Sequence, residues 1–216
     1  MPSGILYYVD VYMLLAKHAG FTKWHAFGHH SGASMATEMA AVYPEQILSL
    51  TIIGPVLMTR EEQISHSEGL LEYNTKPVMD GSHWMKVWNI LLMQKQGEWD
   101  VLKMNGEALD WVRAWEGKVQ CYSNVFCQPM MKLLGEVRCP VLGMSSEKDI
   151  LYEFFPRVKE IVSSINMIDI PCGSILTLVF QKPDATTAIV TGGDWEVMKD
   201  AEGCCKNLVA FLSKLS

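Results

Sequence analysis

Between Phe27 and Ala36 the chain reads "FGHHSGASMA", which sets two adjacent imidazoles, His29 and His30, and two hydroxyls, Ser31 and Ser34, among small residues. An imidazole near neutral pH can serve as a base, an acid or a nucleophile. Its natural helper is a carboxylate, and two stretches offer one: "SSEKDIL", with Glu147 and Asp149, and "GGDW", with Asp194. Convergence of His30 with Asp149 and Asp194 would give an imidazole flanked by carboxylates. That arrangement suits proton abstraction, elimination, retro-aldol cleavage or cyclisation better than acyl transfer. A metal site is not expected. His29 and His30 are neighbours and cannot easily grip one ion, and the six cysteines form no C-x-x-C pair.

These residues need elements to carry them. Residues 6–19, "LYYVDVYMLLAKHA", show apolar residues at helical spacing, closed by Gly20. "KWHAFG" reads as a short strand. "SGASMATEMAAVYP" reads as a helix that stops at Pro44, and "ILSLTIIGPV" (47–56) as a strand buried on both faces. Strand, helix and strand in this order make a βαβ unit of a parallel sheet. Residues 57–137 turn to mixed helical periodicity, with five of the seven Trp between Trp84 and Trp115. "CPVLGM" returns to strand character and "SSEKD" is its loop. A helix over "FFPRVKEIVSSI", strands at "NMIDIP" and "TTAIVTGG", and an amphipathic helix over "AEGCCKNLVAFLSKL" complete the chain. Residues 171–186 carry no clear period.

Composition sets limits around this scheme. The chain has 216 residues, 49% of them apolar and 19% charged, as in an ordinary globular protein. Its net charge of -6 argues against nucleic acid and anionic membranes as partners. No apolar run approaches the ~20 residues that span a bilayer, and the N-terminus has no secretory pattern. Scattered, unpaired cysteines fit reduced thiols in a cytoplasmic protein.

The stretch "FGHHSGASMATEMAAVYPEQILSLTIIGPV" resembles the strand, nucleophile elbow, helix and following strand of the α/β-hydrolase superfamily, and "CPVLGMSSEKDIL" resembles the strand and loop that carry that family's acid. The likeness spans nearly all of the chain and corresponds to the C-terminal two-thirds of such a protein. It implies an α/β fold, a parallel sheet flanked by helices that lacks the family's first strands. The core would comprise residues 1–56 and 138–216, and a helical cap residues 57–137. The family's elbow is G-x-nucleophile-x-G, with small residues because strand and helix pack tightly around a strained turn. In that register the elbow is Gly28-His29-His30-Ser31-Gly32, with His30 at the nucleophile's place. Ser31 is a neighbour that could take part, and the amide of Ser31 would be an oxyanion donor. Ser34 falls about a turn too late. Asp149 takes the place of the acid. Where the family's base stands in a Gly-rich loop, this chain has Gly192-Gly193-Asp194-Trp195, and no His follows His83. Nucleophile and base both depart from the usual pattern.

The resemblance also implies that the strand at 23–28 lies central in the sheet, between partners that precede the helix at residues 6–19. Without them that strand is an open apolar edge, and a homodimer through residues 5–30 is the expected cover. Trp84, Trp88 and Trp111 from the helical insertion, with Trp195, would line an aromatic pocket for a small hydrophobic substrate. The expected activity is ester or lactone hydrolysis, or cofactor-free acid–base lyase or cyclase chemistry using His30. No cofactor is implied. The alternative, favoured by the missing base, is a catalytically inactive hydrolase-fold protein used for ligand binding or dimerisation.

Overall fold

The computed structural model describes residues 4–69, 75–95, 100–162, 166–172, 175–181, 185–189 and 200–215. Two compact units emerge, Arg60–Cys127 and a second formed by Pro2–Thr59 with Gln128–Ser216.

The second unit is built on a six-stranded sheet in the order β1-β2-β3-β6-β5-β4. The strands are β1 (Trp24–His29), β2 (Ile47–Ile53), β3 (Val141–Ser145), β4 (Asn166–Cys172), β5 (Ile175–Gln181) and β6 (Ala185–Ile189). Neighbours among β1, β2, β3 and β6 run parallel. β5 runs antiparallel to both β4 and β6. The parallel sheet expected from sequence is present, it also carries an antiparallel far edge, and β5 fills part of the stretch that showed no clear period. β2 and β3 are buried almost throughout, which is why they read as continuous apolar runs rather than alternating ones.

Helix α1 (Leu6–His18) ends where Gly20 turns into the left-handed region at φ 83°. Helix α2 (Ser31–Val42) lies against β1 and β2, and its buried residues include Ala33, Ala36 and Ala40, small side chains that let helix and sheet approach closely, beside the larger Met39. In the other unit α3 (Arg60–Gly69), α4 (Ser82–Lys95), α5 (Val101–Arg113) and α6 (Trp115–Val125) follow in turn. Back in the sheet-bearing unit, α7 (Met130–Glu136) packs on α2. A 3-10 turn at Tyr152–Phe154 and α8 (Arg157–Val162) come after β3. α9 (Ala201–Leu212) closes over the sheet, where Cys204 and Phe211 pack with Ile53, Leu142 and Met144.

The helical unit has a core of its own. Val87 and Leu91 of α4 meet Met104 and Ala108 of α5, with Trp88 and Trp111 against them. Asp100 caps α5 by accepting from the Leu102 N–H at 2.8 Å. Among the described residues no helix is long and apolar enough to cross a membrane.

Candidate active site

Parallel strands that end together bring their following residues together. His30 N–H donates to the Ile53 carbonyl at 2.9 Å, and Gly54 N–H donates to the Met144 carbonyl at 3.0 Å. His30, Gly54 and the loop after β3 thus stand side by side at the carboxyl ends of β1, β2 and β3. In open α/β sheets this is the usual place for a ligand.

His30 turns the chain from strand to helix within one residue. Its φ of 49° and ψ of -113° make it the one described non-glycine residue at positive φ. Such a conformation costs about 1–3 kcal/mol. Two bonds hold it there, from the Ala33 N–H at 2.9 Å and the Ser34 N–H at 3.3 Å to the His30 carbonyl. The tightness of the turn falls on Gly28. A Cβ there would overlap the backbone of Gly32 and Ala33, whereas a Cβ on Gly32 would meet open space.

Asp149 meets the imidazole. Its Oδ2 accepts from His30 Nε2 at 3.0 Å, and its Oδ1 accepts from the Leu151 N–H at 2.7 Å. The carboxylate side chain is wholly buried, and the imidazole is one-quarter exposed. A carboxylate only accepts hydrogen bonds, so Nε2 carries the proton of the neutral ring and Nδ1 presents the lone pair. Nδ1 has no hydrogen-bond partner among the described residues. Gly54 makes room for the pair. At φ 54° it faces both side chains, and a Cβ on it would run into His30 and Asp149. In the sequence Gly54 reads only as part of a Gly-Pro turn. Only the register of three adjacent strand ends reveals its second task.

The other candidates separate cleanly. Ser31 is the first residue of α2, half-buried, with no side-chain hydrogen bond among the described residues. Ser34 is buried inside α2, and its hydroxyl donates to Met130 Sδ at 3.5 Å. His29 stacks on His30 with ring centroids 4.1 Å apart. Burial above all, and then the neighbouring His30, push its pKa down to about 4 against an opposing pull from Asp149. His25 Nδ1 is bonded to Ser49 Oγ at 2.7 Å, a structural role. Glu147 is exposed and is not joined to His30. Asp194 and Trp195 lie outside the described residues. Trp88 and Trp111 pack in the core of the helical unit, and Trp84 is 45% exposed. His66 and His83 are bonded to the backbone of Glu62 and Val78 in the same unit. Among the described residues no group of three or more His, Cys, Asp or Glu side chains gathers as a metal site.

No family model matches the chain, and no curated protein does. Solved structures do match it along nearly its whole length. An α/β-hydrolase enzyme from a Medee basin deep-sea metagenome library superposes with a TM-score of 0.65 at 14% identity, over 99% of this chain and 73% of its own. The chain carries the α/β-hydrolase fold. Two further α/β-hydrolases align as well. The enol-lactonase from Burkholderia xenovorans LB400 does so at 0.65 and 12%, over 98% of this chain and 74% of its own. An E-2-(acetamidomethylene)succinate hydrolase does so at 0.67 and 15%, over 99% and 75%. At such identities it is the α/β-hydrolase architecture that is shared, and fold alone does not fix chemistry.

Proposed function

We propose that this α/β-hydrolase-fold chain is an enzyme that uses His30 Nδ1, backed by Asp149, to move a proton during cleavage of a small hydrophobic ester or lactone. The observation that carries the reading is the 3.0 Å bond from His30 Nε2 to a buried carboxylate, at a residue held in a strained turn. In the neutral ring Nδ1 is a base. It takes a proton from water as that water attacks the carbonyl. The imidazolium that forms is stabilised by Asp149, then returns the proton to the leaving oxygen. The Ser31 and Gly32 amides at the start of α2 donate hydrogen bonds to the carbonyl oxygen as charge develops on it. A neighbour named as an enol-lactonase supports the lactone class, and one named as a hydrolase supports hydrolysis.

A second reading follows from the imidazole itself. An elbow that carries a base in place of a nucleophilic hydroxyl also suits proton abstraction from carbon, as in a cofactor-free lyase or cyclase.

Kinetics on a panel of aryl esters and lactones tests the first reading. His30→Ala should lower kcat/KM by about 10²–10⁴, and Asp149→Asn should follow it. Gly54→Ala removes neither group but crowds both, so it should copy Asp149→Asn. Hydrolysis unchanged in His30→Ala removes the imidazole from the mechanism. Silence on esters combined with deuterium wash-in from solvent at a carbon acid selects the second reading.

A further inference from the structure

His29 and His30 are consecutive, yet their rings lie face to face, 4.1 Å apart between centroids and 26° from parallel. Consecutive side chains of an extended strand point to opposite faces and cannot meet in this way. The turn makes the meeting. β1 ends at His29, and the φ of 49° at His30 brings the second ring onto the first. The His30 side chain therefore has two contacts of different kinds, Asp149 on Nε2 and the His29 ring on its face. Asp149 alone does not fix the ring. One hydrogen bond holds one atom and leaves the ring free to tilt about it, which loosens the bond that selects the tautomer. A second hydrogen bond, at Nδ1, would occupy the lone pair that has to take a proton. The second tie must come from the ring's face.

His29 suits that task electrically. Burial above all, and then the neighbouring His30, hold its pKa down to about 4, so its ring is uncharged across the neutral range. The face of a neutral aromatic ring is electron-rich and attracts a cation, whereas a second positive ring at this distance would repel one. The charged groups that bear on His29 are His30 and Asp149. Across the sheet β2 sets Ile53 beside it, and the one titratable side chain of α2, Glu38, accepts from Gln128 Nε2 at 2.6 Å.

We propose that His29 is a positioning residue for the His30 base: its ring, stacked on His30, holds the plane in which Nε2 meets Asp149 and Nδ1 stays open, and supports the imidazolium that forms when Nδ1 takes a proton. The proposal rests on the reading of His30 as the proton carrier. It gives the strained turn a second purpose. The turn lets two neighbouring residues stack, so one dipeptide supplies both the base and the platform beneath it, while the carboxylate arrives from a loop 119 residues further on. A ring that only filled space would leave the tautomer of His30 to Asp149 alone.

Long-range ¹H–¹⁵N NMR of the full chain at about pH 8, where an ordinary imidazole is neutral, reads the tautomer of His30, whose signal is identified by its loss in His30→Gln. The wild type should show the Nε2–H form. Three changes at His29 separate its possible roles. His29→Phe keeps an aromatic face without hydrogen-bonding atoms, His29→Gln keeps hydrogen-bonding atoms without a ring, and His29→Ala keeps neither. Gln and Ala should give a mixture of His30 tautomers and lower kcat on the aryl ester or lactone panel about tenfold with KM level. Phe should keep the Nε2–H form and recover most of kcat. If His29→Ala fails to fold, the Phe and Gln variants, which fill its space, read the same contrast. An intact Nε2–H form in His29→Gln overturns the proposal. So does a mixture in His29→Phe that His29→Gln does not show, which would make hydrogen bonding the role of His29. Absence of turnover in the wild type sinks the hydrolytic reading instead, and the tautomers of the variants still decide whether the stack holds His30.

Discussion

The elbow and the helical unit spend their residues in opposite ways. At the elbow a few positions are over-determined. Gly28 is pressed against the backbone of Gly32 and Ala33, Gly54 is pressed against two side chains, and both oxygens of Asp149 are bonded. In the helical unit the aromatic residues that drew attention in the sequence go mainly to packing. Trp88 and Trp111 cover four small and medium side chains, and Lys118 Nζ lies 3.5 Å from the Trp111 ring centre. The difference teaches that residue type alone is a poor guide to where a structure is over-determined, whereas backbone constraint is a good one. An imidazole held at φ 49° against a buried carboxylate is a costly construction. A tryptophan in a helical bundle is an ordinary one.

The sharpest way to break that contrast lies inside the elbow. Gly28→Ala places a methyl group where backbone already stands, so either the turn opens or the strand shifts. The expected loss is about 4 kcal/mol or more, read as a drop in Tm or as insoluble expression. Gly32→Ala, four residues on, meets nothing and adds a better helix former to the first turn of α2. Its Tm should stay level or rise slightly, by the equivalent of about 0.5–1 kcal/mol. Equal losses at the two glycines would mean that the close approach of strand and helix is not where the geometry places it.

The next effect is one of pH. Burial and the neighbouring ring bring the His29 pKa down to about 4 from the ordinary 6.5. Between those values the unfolded chain takes up a proton that the folded chain refuses. Stability therefore stands at its full value above pH 6.5, falls as the pH drops toward 4, and stops falling below that. The full span is about 3 kcal/mol. His29→Asn should flatten this segment of the Tm-against-pH curve while leaving the carboxylate titrations in place. Parallel curves for the two proteins would show that His29 protonates freely in the folded state.

The sequence made the elbow region legible because each link there follows from local chemistry. Alternation and an apolar run mark β1 and β2, good helix formers mark α2, and Pro44 stops that helix. The loop after "CPVLGM" offered a carboxylate, and Asp149 stands 3.0 Å from His30. Two features escaped for physical reasons. The antiparallel pairing of β5 with β4 and β6 depends on long-range register, and no period inside residues 171–186 encodes it. The contact of Gly54 with the dyad depends on three strand ends falling level, which local turn chemistry cannot announce.

The smallest effects separate two tryptophans that look alike in sequence. Trp111 packs on the α4–α5 core, donates from Nε1 to Glu107 at 3.0 Å, and carries Lys118 on its face. Trp111→Ala should cost about 2–3 kcal/mol, less than a fully buried ring because part of its surface is already wet. Trp84 is 45% exposed and stands outside that core cluster. Trp84→Ala should change stability by less than about 0.5 kcal/mol. If Trp84 faces a substrate, the same change should raise KM for bulky aryl esters while kcat and Tm hold, because it removes binding made equally in ground and transition states. A Tm that falls as far as in Trp111→Ala would return Trp84 to the packing of its own unit and count against the aromatic pocket expected from the sequence.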